Sequence, residues 1–423
     1  MSAIQTICMK YIILAVCSIA LFSGCVKDSC VNTFTLYQPV YKSLTAVRAD
    51  MKSAAPETIV TTGKIYLYKN FIYLNEPGKG VHIIDNSNPS APVNIAFLPI
   101  PGNLDIAIKD DYLYADAYSD LAVFNISDPE NITAYKFLNN VFPNRNMYYY
   151  YASNNPDSVQ VMVDLIPRDT VVNCDTYNGW IGYGCINCSS YDGTRLFTNA
   201  AAVTTGVGGS MAGFTIINDF LYTISYNNIY GFNINNAADP KMESTTNIND
   251  YAEAIYPFQS KLFIGTPSGM LMYDVSNPVS PAPLGQFSHI RSCDPVIADE
   301  NNAYVTLRSG NACAGYTNQL DVLDITNLMA PLAVRTYEMT NPHGLSKDEQ
   351  WLFICDGGDG LKIYDATNPA DVQLIKKIEG MNTYDVITNN HIALVIAADG
   401  LYQFDYSNIN DIQQLSKIAV QHN

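Results

Sequence analysis

The sequence predicts an all-β fold, a seven-bladed β-propeller of four-stranded antiparallel blades that is entered through an export signal and broken by one long insertion. Three observations predict it. A nine-residue motif recurs seven times, as VHIIDNSNP (81–89), LAVFNISDP (121–129), IYGFNINNA (229–237), MLMYDVSNP (270–278), LDVLDITNL (320–328), LKIYDATNP (361–369) and LYQFDYSNI (401–409). The acid or amide at its fifth position (Asp85, Asn125, Asn233, Asp274, Asp324, Asp365 and Asp405) gives spacings of 40, 108, 41, 50, 41 and 40 residues. A period near 40 signals an array of supersecondary units. The same neighbours also return around each copy, as in residues 103–138, where NLDIAIKDD, YLYADAYSD, LAVFNISDP and ENITAYKFL follow one another.

The first half of each copy is a run of β-branched, aromatic and Leu residues too short for a stable helix, which specifies a buried strand. The second half is turn chemistry. Asp or Asn folds its side chain onto the backbone two residues on, and the following Asn-Pro removes a ladder donor, so the strand stops and reverses. With its neighbours, one copy makes four antiparallel strands in about 36 residues, the size of a propeller blade. A blade cannot bury both faces of its sheet alone, so neighbours stack and the ring closes.

The motif strands VHIID, LDVLD and LKIYD resemble the LVIVD repeat, and the likeness runs over roughly residues 62–420 outside the insertion. The resemblance implies a propeller of the bacterial and archaeal surface or secreted kind, mostly without an assigned activity. Asn125 and Asn233 depart from the acid, and Leu328 and Ile409 from the Pro, but an Asx-type turn survives these changes.

From the N-terminus, residues 1–24 carry one early charge, Lys10, an apolar run over 11–22, and Leu21-Phe22-Ser23-Gly24 before Cys25. Length and flanks fit a secretory signal rather than a membrane-spanning helix. The LFSGC ending resembles a bacterial lipobox, which implies cleavage before Cys25, a lipidated Cys25 thiol and strong anchoring through several acyl chains. Residues 25–61 then read as lipid anchor and tether, including an amphipathic piece, YKSLTAVRADMK, whose Leu44, Val47 and Met51 are spaced to pack on the propeller rim. Residues 62–423 form the propeller. Loss of residues 1–24 takes away one Lys and moves the net charge from −17 to about −18, which argues against nucleic acid and against electrostatic docking on anionic lipid. The membrane is reached through the lipid on Cys25, and the chain is expected at the cell envelope, in the outer membrane, on either its periplasmic or its surface side.

The 108-residue spacing hides an insertion over 139–210, between blades 2 and 3. It contains MYYYY (147–151), a strand-like VQVMVDLIP, CDTYNGWIGYGCINC (174–188) and a Gly-Thr tail. Long insertions are where function is added to a repeat scaffold. Tyr149, Tyr150, Tyr177, Trp180 and Tyr183 suit sugar stacking or a protein hot spot, because rigid rings give contact area at little entropic cost. The same rings serve equally well as the insertion's own core.

Strands a to d, labelled from the channel outwards, place the d-to-a connections and b-to-c loops at one end of the ring, and the a-to-b hairpins and motif turns at the other. The insertion falls on the first end, with Cys293 at the entry of blade 5 and Cys313 in its enlarged b-to-c loop, SGNACAGYTNQ. In an exported protein these two cysteines are expected to form a disulfide. Cys174, Cys185 and Cys188 lack a fourth ligand for a metal site, so a disulfide among them, with Cys30 as a further partner, is the better reading. Cys355, in the apolar WLFIC strand, reads as a buried free thiol.

Hairpin alignment puts Lys64, Asp105, Gly213, Glu253, Asp294, His343 and Asp385 at the channel mouth of that same end. Four carboxylates and an imidazole on one axis suit a divalent cation or a cationic ligand. The plainer role, hydrogen bonding at strand entries, carries more weight because repetition alone places these residues. No cofactor motif occurs, and G-x-S-x-G, H-E-x-x-H and P-loop patterns are missing. The expectation is therefore a binding or interaction module for an envelope protein or glycan. A carboxylate enzyme of glycan hydrolase or lyase type, pairing Asp105 with Asp294 or Asp385, and a non-catalytic envelope scaffold are the alternatives.

Overall fold

The computed structural model describes residues 31–151, 159–173, 210–211, 213–288, 295–309 and 317–421. Seven four-stranded antiparallel sheets occupy residues 65–99, 106–138, 214–247, 254–288, 296–338, 345–378 and 383–419, each hydrogen-bonded in chain order. These are the seven blades that the repeats specify.

Blade 1 consists of Ile65–Tyr68, Phe71–Glu76, Gly80–Asp85 and Val93–Pro99. Its motif strand ends as the turn chemistry requires, with the Ser87 N–H donating to Asp85 Oδ1 at 2.8 Å. The same bond recurs in the other six blades at 2.7–3.0 Å. Asn125 and Asn233 accept through their amide oxygens at 2.9 and 3.0 Å, so replacing the acid leaves the turn intact. Every blade also carries a register shift between strands c and d just before the turn, at Ile83/Ile84 in blade 1 and at Gln403/Phe404 in blade 7. Such a bulge bends and twists the outer strand.

The core lies between blades. Tyr114 of strand b is fully buried and donates its hydroxyl to the Ala237 carbonyl in the next blade's motif turn at 2.8 Å; Tyr222 reaches Pro278 in the same way at 3.4 Å. At the hairpin end, Lys69–Asp111, Lys109–Asp219 and Lys347–Asp299 pair adjacent blades.

The ring closes without sharing a strand, since all four strands of blade 7 come from the C-terminal chain. Blades 1 and 7 instead share one apolar cluster, in which Ile65, Ile72 and Leu74 meet Ile387, Leu394 and Ile396. Asn86 and Gln403 exchange reciprocal side-chain bonds of 3.1 and 2.7 Å across the seam. The segment before blade 1 staples the rim. Ser53 bonds Ile132 of blade 2, Ala54 pairs with Phe97 of blade 1, and Ile59 accepts from the Gln421 N–H at 2.9 Å. Ser53 and Ala54 thus fix this segment to blades 1 and 2, and Ile59 joins it to the end of blade 7.

Helix α1 (Leu44–Asp50) starts at Ser43, whose side chain accepts from the Ala46 N–H. It buries Val47, and Met51 just beyond it, in the cluster that holds blades 1 and 2, while Arg48 lies over the Phe137 ring and donates to Asp120 at 2.6 Å.

By compactness the chain divides into a unit of residues 1–40 with 164–191 and a unit of 41–163 with 192–423. Strand β1 (Val31–Ser43) and, within the insertion, β2 (Tyr149–Tyr151) and β3 (Val159–Asn173) form a further sheet in the order β1-β3-β2. In the first unit, the Thr35 hydroxyl donates to Asp169 at 2.7 Å. In the second, Val161 is buried against blades 1 to 3 and the Met162 carbonyl accepts from the Tyr118 hydroxyl at 2.9 Å. The segment read as tether thus supplies a strand that pairs with the insertion. Among the described residues no helix is long and apolar enough to cross a membrane.

Candidate functional site

At the insertion-bearing end, the strand pairing fixes the register at which each strand a begins. The fifth residue of strand b faces Lys64, Asp105, Gly213, Ala254, Pro295, Gly344 and Asp385 in blades 1 to 7. Glu253 and His343 sit one residue earlier, so the expected single ring of mouth residues separates into two adjacent registers. Asp294 lies outside the described residues.

The inner register is tightly satisfied on one side. Asp105 is buried, accepts from Lys64 Nζ at 2.5 Å and from the Gly213 N–H at 2.7 Å, and caps the Ile106 N–H at 2.9 Å. Gly213 is required for that approach, because a Cβ there would stand 2.6 Å from Asp105 Oδ2. Burial lifts the Asp105 carboxyl above its ordinary range against the pull of Lys64. Asp385 is only 1 % exposed, and its Oδ2 has no hydrogen-bond partner among the described residues. Burial pushes it up to about 7, against a backbone bond from Val386 and the Lys64 charge. Both carboxyls are thus raised to about 7, and of the two only Asp105 is bonded directly to Lys64.

Behind this register, Asp116 accepts from the Asn103 side chain and from the N–H groups of Leu104 and Asp105, and is paired with Arg145 from the first turn of the insertion. Asp356 does the same in blade 6, holding the Thr340 and Asn341 N–H groups and Lys362. These buried acids order the strand entries.

The outer register is less enclosed. His343 Nε2 lies 3.3 Å from Arg308 Nη1 and 3.1 Å from Asn341 Nδ2, which makes it the acceptor and leaves the ring proton on Nδ1. Burial and then Arg308 lower its pKa to about 3, so the ring is neutral. Burial lowers Arg308 as well, while Tyr384 and Glu253 support its charge. At the same end, between blades 3 and 4, Tyr226 and Tyr251 are 44 % and 50 % exposed, with ring centroids 5.6 Å apart and nearly perpendicular. Burial raises the Tyr251 hydroxyl, and the fields of Tyr226 and Glu253 add to the rise against that of Arg145.

Sequence reasoning missed Tyr226, Tyr251, Arg308 and Asn341. One signal was available for Tyr226, because a bulky aromatic stands where a tight b-to-c turn favours Asn or Gly. Of the aromatics that were singled out, Tyr149 and Tyr150 lie on β2, paired by backbone with Val161 and Gln160. Tyr177, Trp180, Tyr183, Cys25, Cys293 and Cys313 fall outside the described residues, as do Cys30, Cys174, Cys185 and Cys188. Cys355 is a fully buried free thiol, raised well above its ordinary pKa by burial and then by Asp385. Among the described residues, no three His, Cys, Asp or Glu side chains gather to hold a metal ion.

Comparisons with known proteins agree with this architecture. The LVIVD repeat model matches residues 61–96, the first blade with its entry. No curated protein matches the chain. Among solved structures, the periplasmic gluconolactonase PpgL of Pseudomonas aeruginosa is similar at 9 % identity and a TM-score of 0.52, covering 85 % of this chain and 96 % of that one. The computationally designed protein Ika8 is similar at 10 % identity and 0.51, covering 86 % and 88 %. A functionally unknown protein of Desulfotomaculum acetoxidans is similar at 12 % and 0.51, covering 83 % and 95 %. At such identities the likeness concerns the fold alone. A matched LVIVD repeat at the first blade and seven four-stranded blades built on one recurring motif show a seven-bladed β-propeller that carries an LVIVD repeat.

Proposed function

We propose that this propeller is an exported binding module, lipid-anchored through Cys25, whose insertion-bearing end receives a protein or glycan of the cell envelope. The observation that carries this reading is the difference between the two ends. The hairpin end is closed by Asx turns and Lys–Asp pairs between blades. The other end carries the point where the insertion leaves blade 2, two exposed tyrosines and the Arg308–His343–Asn341 group. Binding residues on a repeat scaffold concentrate where loops depart from the repeat.

A carboxylate enzyme is less well supported. Glycoside cleavage needs two accessible carboxyl groups flanking a bond. Asp105 is committed to Lys64 and Gly213, and Asp385 is buried. What the gluconolactonase acts on is a property of that protein.

The test is a binding screen of the soluble form, residues 31–423, against glycan panels and envelope extract, beside a form with residues 144–205 replaced by a short linker. A ligand retained by the soluble form and lost on changing either the insertion or the mouth supports the reading. A folded soluble form that binds nothing overturns it. Anchoring is checked separately, since Cys25→Ser is expected to move the protein from the membrane fraction to the soluble one.

A further inference from the structure

We propose that the chain returning from the insertion into blade 3 is an axial plug, in which Ser210 and Met211 lie across the channel at this end, close it, and keep Lys64, Asp105 and Asp385 from solvent. The plug does not depend on what the protein binds. What it adds to the binding-module reading is that the ligand is received outside the channel and not among the buried acids.

Strand a is an edge of every sheet, and the seven strands a follow one another around the channel from blade 1 to blade 7. An edge strand leaves one row of N–H and C=O groups without a strand partner, and where such groups are buried another partner has to be found. Val296 in strand a of blade 5 and Leu345 in strand a of blade 6 are both fully buried. Ser210 serves the two together. Its carbonyl accepts from the Val296 N–H at 3.3 Å, and its hydroxyl accepts from the Leu345 N–H at 2.8 Å. In the chain, however, Ser210 stands just before strand a of blade 3, so its bonds reach two and three blades away from the blade it enters.

The residues that follow return to the opposite side. Met211 is 7 % exposed and packs in the apolar cluster that holds blades 3 and 4, and the Gly213 N–H donates to Asp105 of blade 2 at 2.7 Å. Between them Ser210, Met211 and Gly213 reach blades 2 to 6, although residues three apart in a chain are separated by no more than about 11 Å. Blades 2 and 6 stand on opposite sides of a ring of seven, so a segment this short that is bonded to both crosses the axis. The burial of the mouth agrees with closure, since Lys64, Asp105 and Asp385 are only 5 %, 2 % and 1 % exposed. Pairing accounts for the first two. Asp385 is buried although its Oδ2 has no partner among the described residues, so its exclusion from water comes from what covers it.

Carboxyl footprinting of the purified protein with a water-soluble carbodiimide and glycine ethyl ester, read by peptide mass spectrometry, tests the plug without any ligand. Asp110, whose side chain is 71 % exposed, is the internal standard. In the parent, Asp105 and Asp385 are expected to react far less than Asp110. Ser210→Ala is the mild variant, because it removes the hydroxyl and keeps the carbonyl. It is expected to quicken hydrogen exchange of the Leu345 amide about tenfold, while the Val296 amide and the outer strands of blades 5 and 6 keep the parent's protection. Ser210→Gly combined with Met211→Ser loosens both holds and is expected to raise labelling of Asp105 and Asp385 several-fold with one cooperative unfolding transition retained. Labelling of the two acids in the parent to the extent of Asp110 overturns the plug, and so does a Leu345 amide that exchanges at the parent's rate in Ser210→Ala. Unchanged labelling in the folded double variant overturns the closure. Since no ligand enters these measurements, their failure leaves the binding-module reading to its own screen.

Discussion

At the scale of single residues, the inter-blade tyrosines and the buried Asp385 make opposite demands on their surroundings. Tyr114 and Tyr304 occupy the same place in strand b and are equally buried, but only the Tyr114 hydroxyl finds a carbonyl, on Ala237; Tyr304 Oη has no partner among the described residues. A buried acceptor left alone is costly, whereas removing an unpaired hydroxyl is not. Tyr114→Phe is therefore expected to cost about 1–2 kcal/mol and Tyr304→Phe to be neutral or slightly stabilising. Chemical denaturation of the two variants measures this, and equal losses would show that Tyr304 is bonded after all. Asp385 is read through pH. Its folded pKa, raised to about 7, stands above the ordinary carboxylate value near 3.9 of the unfolded chain. The native state therefore keeps a proton that the unfolded state has released, and this contribution, complete below about pH 4, is lost as pH rises towards 7. Asp385→Asn removes the titration, so its stability relative to the parent is expected to improve between pH 5 and pH 8, by at most about 4 kcal/mol. Parallel stability curves for parent and variant would sink the assignment.

At the scale of elements, the motif turn was legible in the sequence and its register at the channel mouth was not. Asp and Asn can each fold onto the backbone two residues on, and this local rule, repeated seven times, fixes where strand c ends. The mouth depends on pairing between strands a and b, where a slip of one residue exchanges the two faces and few side chains forbid it. That is why Glu253 and His343 sit one position from Asp105 and Asp385. The pairing of β1 with β3 was illegible for a different reason, because it joins segments more than a hundred residues apart with no local signal of partnership. The turn itself can be tested. Bonds from Ser or Thr hold the Asp85, Asp274, Asp324, Asp365 and Asp405 carboxyls below their ordinary range. A depressed pKa means stability that is present above the unfolded value and lost as pH falls through the folded one. Blades 2 and 3, with Asn125 and Asn233, are exempt. Asp365→Asn is thus expected to flatten the acid limb of the stability curve, while Asp365→Ala lowers stability at every pH. An Asn variant as acid-sensitive as the parent would show that the turn acids contribute nothing to acid unfolding.

At the scale of the molecule, six of the seven junctions between blades are crossed by the chain, and the seventh, between blades 7 and 1, is closed by side chains and by the segment before blade 1. This makes it the seam. The apolar cluster there is buried, but the polar closure rests on Gln403, whose side chain is wholly buried and bonds Asn86, the Pro89 carbonyl and Ser416 at once. Gln403→Ala leaves those three groups without a partner and opens a void, a loss of about 1–3 kcal/mol. Because the damage lies where no connection holds the blades together, it is expected to appear as sub-global opening rather than as a uniform loss. Hydrogen–deuterium exchange should then quicken through strands of both blade 1 and blade 7, while blades 3 to 5 keep the parent's protection. A truncation of a buried hydrogen-bonding side chain at an interior junction, such as Thr306→Ala, whose hydroxyl donates to the His343 carbonyl ahead of the next blade, should not separate its neighbours in this way. Exchange that quickens only around residue 403, or equally in every blade, would show that the ring has no weak seam. In that case the rim segment, with Ile59 bonded to Gln421 and Thr62 to Ala397, carries the closure by itself.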